Sequence, residues 1–367
     1  MAYTLGAFLV SLAVTLLLVR YRRLHAKYSN DTDFVGVQKF HILAVPRVGG
    51  ISLVLAMAAT CVVAIFRDPE VVRPLALLIV CSLPVFLGGL AEDVSKNVRA
   101  RIRMTLALVS GILAYFWLGA GITRLDIIGV DWVLQFGVVS FVVSIVAIAG
   151  AANAINIIDG YNGLASVVSG MILAGLAYVS YYLGDRLLLV AAVGMLGGIG
   201  GFLIWNYPRG LIFLGDGGAY FIGFVIGTLS VLMLARHPEV SAWFPLLLCI
   251  YPVFETLFSI YRKKLVRGKS PGAPDGVHLH MLVYKRLVRW AVGSHEAHLI
   301  TQRNAMTSPY LWVLSSMGTI PAVLFWQHAY FLMAFVMVFS VSYVILYRQL
   351  VLFRMPRWLV LQKKRRH

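Results

Sequence analysis

Residues 132–165 read WVLQFGVVSFVVSIVAIAGAANAINIIDGYNGLA: an apolar run from Trp132 to Ala149, three amides and a carboxylate crowded against its end, then a second apolar run. Polar groups of this kind are costly in lipid. A centrally placed Asp costs about 2.5–3.5 kcal/mol on insertion scales. If the helix runs on, Asn153, Asn156 and Asp159 recur at three-residue steps and share one side of its last turns. Gly160 and Gly163 then let the chain turn away. A polar helix end closed by glycine and a functional cluster are both open readings of this stretch.

The same apolar texture recurs along the chain. Its 367 residues are 60% hydrophobic and 13% charged, with a mean hydropathy of +0.84, whereas soluble domains carry about 25% charge. A soluble protein is excluded. Apolar runs near 2–19, 48–66, 71–91, 102–120, 132–149, 163–183, 187–205, 218–235, 242–260, 309–327 and 329–351 approach the roughly 20 residues that a spanning helix needs. They predict an all-α polytopic membrane protein of about eleven transmembrane helices, one domain over residues 1–367, with 261–308 as its longest inside loop. The first run has no basic residue before it and Arg20, Arg22 and Arg23 after it, the reverse of a cleavable signal peptide, so a retained first helix is expected.

With the N-terminus outside, 27 of the 32 Lys and Arg residues fall on inside segments. That split is the positive-inside pattern, and it puts the C-terminus in the cytoplasm. It sets the basic residues against an anionic leaflet and explains most of the net charge of +17 without nucleic acid. Cys61, Cys81 and Cys249 lie in apolar runs without CxxC spacing, so neither a disulfide framework nor a zinc site is expected.

On this topology several polar stretches share the inside face with the opening one. In QKFHILAVPRVGG (38–50) the Pro and paired Gly suggest a fixed start to the second helix and close backbone approach, while Lys39, His41 and Arg47 either meet phosphate or only serve topology. In GGLAEDVSKNVRARIR (88–103) Glu92 and Asp93 are the only acids, at the apolar boundary, followed by four cations. They read as a solvated ion-pair face or as a pair that binds a divalent cation or takes a proton from a phosphate. In LGDGGAYFIGF (214–224) Asp216 is either a helix N-cap or a carboxylate that brings Mg2+ to a diphosphate. Within 261–308 lie Arg267 and PDGVHLH (274–280), whose alternating His278 and His280 would point the same way on an extended segment. Nearby HEAH (295–298) has the wrong spacing for a zinc protease, and GMLGGIGG (194–201), inside an apolar run, reads as close helix packing rather than a nucleotide loop.

Together GGLAEDVSKNVRARIR, NAINIIDGYNGLAS, LGDGGAYFIGF and PDGVHLH resemble the polyprenyl-phosphate N-acetylhexosamine-1-phosphate transferase family, of the glycosyltransferase family 4 type. The likeness covers roughly residues 38–285 in the family's order, with an eleven-helix layout similar to its enterobacterial-antigen branch. It implies transfer of a sugar 1-phosphate from a UDP-N-acetylhexosamine to undecaprenyl phosphate, releasing UMP and making the first lipid-linked sugar of a surface polysaccharide such as O-antigen. The site would lie at the cytoplasmic face of a bacterial inner membrane. By matching position Asn156 and Asp216 would hold Mg2+, for which Mn2+ can substitute, with Asp159 an essential carboxylate beside nucleotide and metal. Glu92 and Asp93 match an Asp-Asp pair proposed to act on the lipid phosphate. His278 and His280 match a motif that contacts the donor diphosphate, and Lys39 and His41 match basic residues near where the lipid phosphate arrives. Asn153 and Arg267 complete the implied substrate contacts.

The sequence departs from the family pattern at Glu92, where the pair has Asp, and at Asn162, where many relatives have Asp. HLH in place of three consecutive histidines argues against the phospho-MurNAc-pentapeptide translocase branch, which is the alternative within the family. The implied partners are the two substrates, membrane lipids and a second copy of the chain in a homodimer. A transporter or lipid flippase would instead place polar groups near the bilayer midplane, often on broken helices with internal repeats. Here the acids gather at one face and no repeat is visible. A non-catalytic scaffold would not require the ordered acids.

Overall fold

A computed structural model of the chain describes residues 1–24, 30–31, 45–266, 268, 276–288 and 297–354. In order, its helices are α1 (Ala2–Arg20), α2 (Gly50–Arg67), α3 (Pro69–Ser95), α4 (Ala100–Leu118), α5 (Val130–Leu134), α6 (Gly137–Ile158), α7 (Leu164–Leu183), α8 (Arg186–Asn206), α9 (Gly215–Arg236), α10 (Trp243–Leu248), α11 (Ile250–Tyr261), α12 (Leu279–Arg286), α13 (Ala297–Leu324) and α14 (Ala329–Val351). A π-helical turn, Arg262–Val266, continues α11. Extended structure among the described residues is one two-residue antiparallel pairing, β1 (Asn30–Asp31) with β2 (Val45–Pro46). The protein is all-α.

Every one of the eleven apolar runs is helical. Among the described residues nine helices are long and apolar enough to cross a membrane, fewer than the eleven expected. One of the other two runs, 309–327, falls mostly in α13, which starts at Ala297 rather than near 309, ends at Leu324 and carries both charge and two prolines. The other, 242–260, is broken at Cys249 into segments of six and twelve residues. The cause is local: Pro252 has no N–H to offer the carbonyl of Leu248, and its ring crowds that carbonyl. The run from Trp132 divides as well, into the short α5 and an α6 that begins only at Gly137.

Helix α9 is the axis of the bundle. From Gly217 to Leu234 it is buried on all sides, as a helix apolar all round must be, while most of α1 and α14 faces outward. Small residues bring its neighbours close. A Cβ on Gly89 of α3 would lie 2.5 Å from the Gly217 nitrogen, and one on Gly223 would lie 2.6 Å from Ala152 Cα of α6. The glycines of 194–201 do what their setting in an apolar run suggested: Gly194 faces Thr60 of α2, and Gly201 faces the Phe8 carbonyl of α1. At the far end of α9, Asp185 accepts the Leu188 N–H and meets Arg236 and His237, while Asp126 accepts from the Ser241 hydroxyl and the Ala242 N–H.

Because the atom facing Gly89 is backbone, Gly89→Val is expected to cost about 1–3 kcal/mol by overpacking. It should lower the thermal midpoint and the monodisperse fraction in detergent. Gly150→Ala, where a Cβ meets nothing within 4 Å, should leave both unchanged.

Candidate active site

Helix α9 begins with a problem of unpaired donors. Its N-cap position, Leu214, carries no capping side chain, which leaves the first N–H groups in need of partners. Asp93, buried near the end of α3, provides them: its Oδ1 accepts the Asp216 N–H at 2.8 Å and its Oδ2 the Gly217 N–H at 2.9 Å. The Arg47 Nε stands 3.7 Å from the same carboxylate. Gly215 is held at φ +78°, and a Cβ there would fall on the Arg47 carbonyl and 2.5 Å from Asp93 Oδ2. The PRVGG segment is laced to this turn. Phe213 N–H donates to the Pro46 carbonyl at 2.8 Å, Gly49 N–H to Phe213 at 3.1 Å and Gly50 N–H to Leu214 at 2.9 Å.

With the cap supplied by Asp93, Asp216 is not an N-cap. Its side chain forms ion pairs with Arg47, 3.4 Å from Nη2 to Oδ1, and with Arg103 of α4. Arg103 also lies 6.0 Å from the Tyr220 ring centroid, and the Tyr220 hydroxyl donates to Asn153 Oδ1 at 3.4 Å. Helices α6 and α9 run antiparallel in a register that sets Gly227 against Ile148, Gly223 against Ala152 and Tyr220 against Asn153. Carried one turn further, that register brings Asn156 and Asp159, both half-buried, level with Asp216. Helix α6 stops at Ile158, so Asp159 stands just beyond its last turn. Burial pushes the Asp159 carboxyl up to about 7, against the opposing pull of Arg47. Glu92 does something different: its Oε2 accepts the Val98 N–H at 2.7 Å and closes the loop between α3 and α4.

The turn after Asp159 is braced from three directions. Asn162 receives the most: its N–H donates to Asn304 Oδ1 at 2.8 Å, its Nδ2 to the Pro208 carbonyl at 3.1 Å, and its carbonyl accepts from the Ser308 hydroxyl at 2.6 Å. Gly163 donates to Asn206 Oδ1 at 2.7 Å, and its carbonyl accepts from Trp312 Nε1. Asn162 is therefore a buried brace. Its amide donates where an aspartate could not.

The histidine pair meets this turn. His278 precedes α12 and His280 lies inside it, not on an extended segment as the alternation suggested. The two rings still stack, 5.2 Å apart and 4° from parallel, because His278 is itself extended before the helix starts. His280 lies against Gly160 and edge-on to Tyr161 at 5.7 Å. Behind them is a residue the motifs did not flag, Glu255 of α11. It is fully buried, accepting from His278 Nδ1 at 2.9 Å, Leu279 N–H at 3.1 Å and the Tyr343 hydroxyl at 2.7 Å. A signal for it existed. Glu255 is the one charged residue of the run 242–260, and an ionisable group inside such a run marks a functional or partnered position. Arg103 was hidden among the cations of its loop. Lys39, His41 and Arg267 lie outside the described residues.

Among the described residues no three His, Cys, Asp or Glu converge as a closed metal cage. Mg2+ does not require one, since it takes one or two carboxylates and completes its shell with water and substrate phosphate. The hard oxygen donors Asp216, Asp159 and Asn156 fit that habit, and Arg47 and Arg103 add positive charge for a phosphate beside them.

Two stability measurements separate these roles in protein free of metal and substrate. Asp93→Ala strips the acceptors from two buried N–H groups and should cost about 2–4 kcal/mol, lowering the thermal midpoint. For Asp159 the sign is opposite. A carboxyl whose folded pKa lies above its unfolded one binds protons preferentially in the folded state, so stability falls as pH rises from the ordinary carboxylate range to about 7. Asp159→Asn should raise the midpoint at pH 8, by about 1–3 °C, and leave it unchanged at pH 4.

The sequence profile described as Glycosyl transferase family 4 matches residues 75–234, from early α3 through nearly all of α9. The chain is 30% identical over 267 residues, 72% of its length and 77% of the relative's, to the undecaprenyl-phosphate alpha-N-acetylglucosaminyl 1-phosphate transferase of Thermotoga maritima. It is 28% identical over 280 residues, 75% of each chain, to a Bacillus subtilis protein named "Probable undecaprenyl-phosphate N-acetylglucosaminyl 1-phosphate transferase". Over 245 residues, 64% of this chain and 73% of the other, it is 28% identical to the phospho-N-acetylmuramoyl-pentapeptide-transferase of Streptococcus pneumoniae. The family profile takes in the helices that bear Asp93, the 153–163 turn and Asp216, and with a relative at 30% identity across most of both chains, the protein belongs to the polyprenyl-phosphate N-acetylhexosamine-1-phosphate transferases of glycosyl transferase family 4.

Proposed function

We propose that the protein transfers an N-acetylhexosamine 1-phosphate from a UDP-sugar to undecaprenyl phosphate at the cytoplasmic face of the bacterial inner membrane, as the first step of a surface glycan. The observation that carries this reading is the meeting, at one end of the bundle, of Asp216 with Arg47 and Arg103, beside the turn at Asp159 and the stacked histidines. The uneven division of Lys and Arg across the spans supports the cytoplasmic placement.

In the reaction an oxygen of the lipid phosphate forms a bond to the sugar-bearing phosphorus of the donor. The bond from that phosphorus to the bridging oxygen breaks, and UMP leaves with the electron pair. Bound Mg2+, held by Asp216 and Asn156 with Asp159 beside them, would gather the negative charge of the diphosphate. Arg47 and Arg103 balance charge on the reacting phosphates, and His278 and His280 orient the diphosphate. A phosphate monoester loses its second proton near pH 6, so the acceptor is largely ionised at neutral pH and needs no protein base. With both oxygens already engaged, Asp93 serves this chemistry by positioning Asp216, and Glu92 by fixing the neighbouring loop.

The test is purified protein with undecaprenyl phosphate and a panel of UDP-N-acetylglucosamine, UDP-N-acetylgalactosamine and UDP-MurNAc-pentapeptide. UMP release is expected with an N-acetylhexosamine donor, and it should vanish with EDTA and return with Mg2+ or Mn2+. No UMP from any donor sinks the reading. Asp216→Asn and Asp159→Asn should each lower turnover by about 10²–10³-fold in protein that still inserts, and full activity in either breaks the site assignment.

A further inference from the structure

Glu255 has no place in the reaction just described, yet it is built into the molecule with care. No part of its side chain reaches solvent. A carboxylate in such a position is retained only if its oxygens are met by good donors. Here three donors come from three directions: an imidazole, a backbone amide at the start of α12 and a phenol from α14. Any three donors would satisfy a merely structural carboxylate. One of these is the first histidine of the HLH motif, and another is the amide that begins the helix holding the second.

The chemistry of the His278 contact is directional. An ionised carboxylate only accepts, so His278 Nδ1 must carry the proton at 2.9 Å from Oε1. The tautomer and the ring plane are thereby set together, as the outer partners of ligating histidines set them elsewhere. Nε2 is the ring nitrogen left to meet an anionic oxygen. His280 is placed by the same group through a different route. The Leu279 N–H on Oε1 at 3.1 Å anchors the first turn of α12, and the His280 ring lies parallel to His278 and beside Gly160.

We propose that Glu255 is the positioning residue of the histidine pair, fixing the tautomer of His278 and the start of α12 so that both rings are held toward the diphosphate of the donor nucleotide. This rests on the reading of the chain as a UDP-sugar transferase. Glu255 touches no substrate. Its effect passes through His278 and through the first turn of α12.

The experiment is calorimetric binding of UDP, with uridine as the control lacking phosphate, to the full chain in lipid nanodiscs with Mg2+. Glu255→Gln keeps the shape and removes the charge, and should weaken UDP binding about tenfold, the difference between a charge-assisted and a neutral hydrogen bond. Uridine affinity should stay unchanged. In a His278→Ala background the same substitution should cost clearly less, because one of the two groups it acts through is gone and only the Leu279 anchor of α12 remains. Unchanged UDP affinity, an equal loss of uridine affinity, or an undiminished penalty in the His278→Ala background would each overturn the inference. If Glu255→Gln yields no folded protein, Glu255→Asp, which withdraws the carboxylate by one methylene, carries the same expectation and the same overturning results. A wild-type chain that transfers sugar phosphate yet shows no Glu255 effect defeats this inference alone, whereas one that neither binds UDP nor releases UMP defeats the transferase reading on which it rests.

Discussion

Carboxylates buried inside a membrane bundle must be met by donors, and at two places here the donors are the amides that open a helix. Asp93 accepts the Asp216 and Gly217 N–H groups, and Glu255 accepts the Leu279 N–H. In each case an acid on one helix closes the positive end of another, where the aligned peptide dipoles favour negative charge. Each helix so closed carries a polar side chain of the candidate site at its very start: Asp216 on α9, His280 on α12. The cap and the site group are separated by a residue or less, so any slip of the helix moves the functional side chain with it.

The rest of the bundle keeps those caps in register. Helix α9 cannot slide, because Gly89, Gly217 and Gly223 bring it into backbone contact with α3 and α6, and small residues at such crossings leave no slack. The break at Cys249 gives α11 a start independent of α10 and lets Glu255 reach α12 and α14 together. The turn at 159–163 hangs between α6 and α7, tied to the α8–α9 connection through Pro208 and Asn206 and to α13 through Asn304, Ser308 and Trp312. Precision at the site thus comes from parts that never touch a substrate.

Much of this was legible in the residues. The apolar runs located the helices, and the acids at run ends located one face, because polar groups in lipid are rare enough that each carries information. What the sequence left open was partnership. Nothing in GGLAEDV distinguishes a base from a cap, since the distinction lies in amides of α9 that are 123 residues away for Asp216 and 124 for Gly217. Asp216 was open to reading as a cap or as a metal-binding carboxylate, and the first is removed because Asp93 already fills that role. Glu255 escaped notice because it belongs to no local cluster. Its meaning comes from His278 and Tyr343, 23 and 88 positions distant. The break at Cys249 was likewise not readable from Pro252 alone, since Pro84 of α3 and Pro309 and Pro321 of α13 sit inside unbroken helices.

The brace at Asn162 also bears on how this site can change over evolutionary time. Its amide nitrogen donates a hydrogen bond to the Pro208 carbonyl, while its own backbone is held by Asn304 and Ser308. A chain with aspartate at this position could not make the first of these bonds with an ionised side chain. It would have to turn the carboxylate toward a cation or supply a different donor to the carbonyl. Position 162 is therefore free to drift only in concert with the connection that carries Pro208 and the face of α13 that carries Asn304. Substitutions across the three should appear as linked pairs, a covariation written by one hydrogen atom.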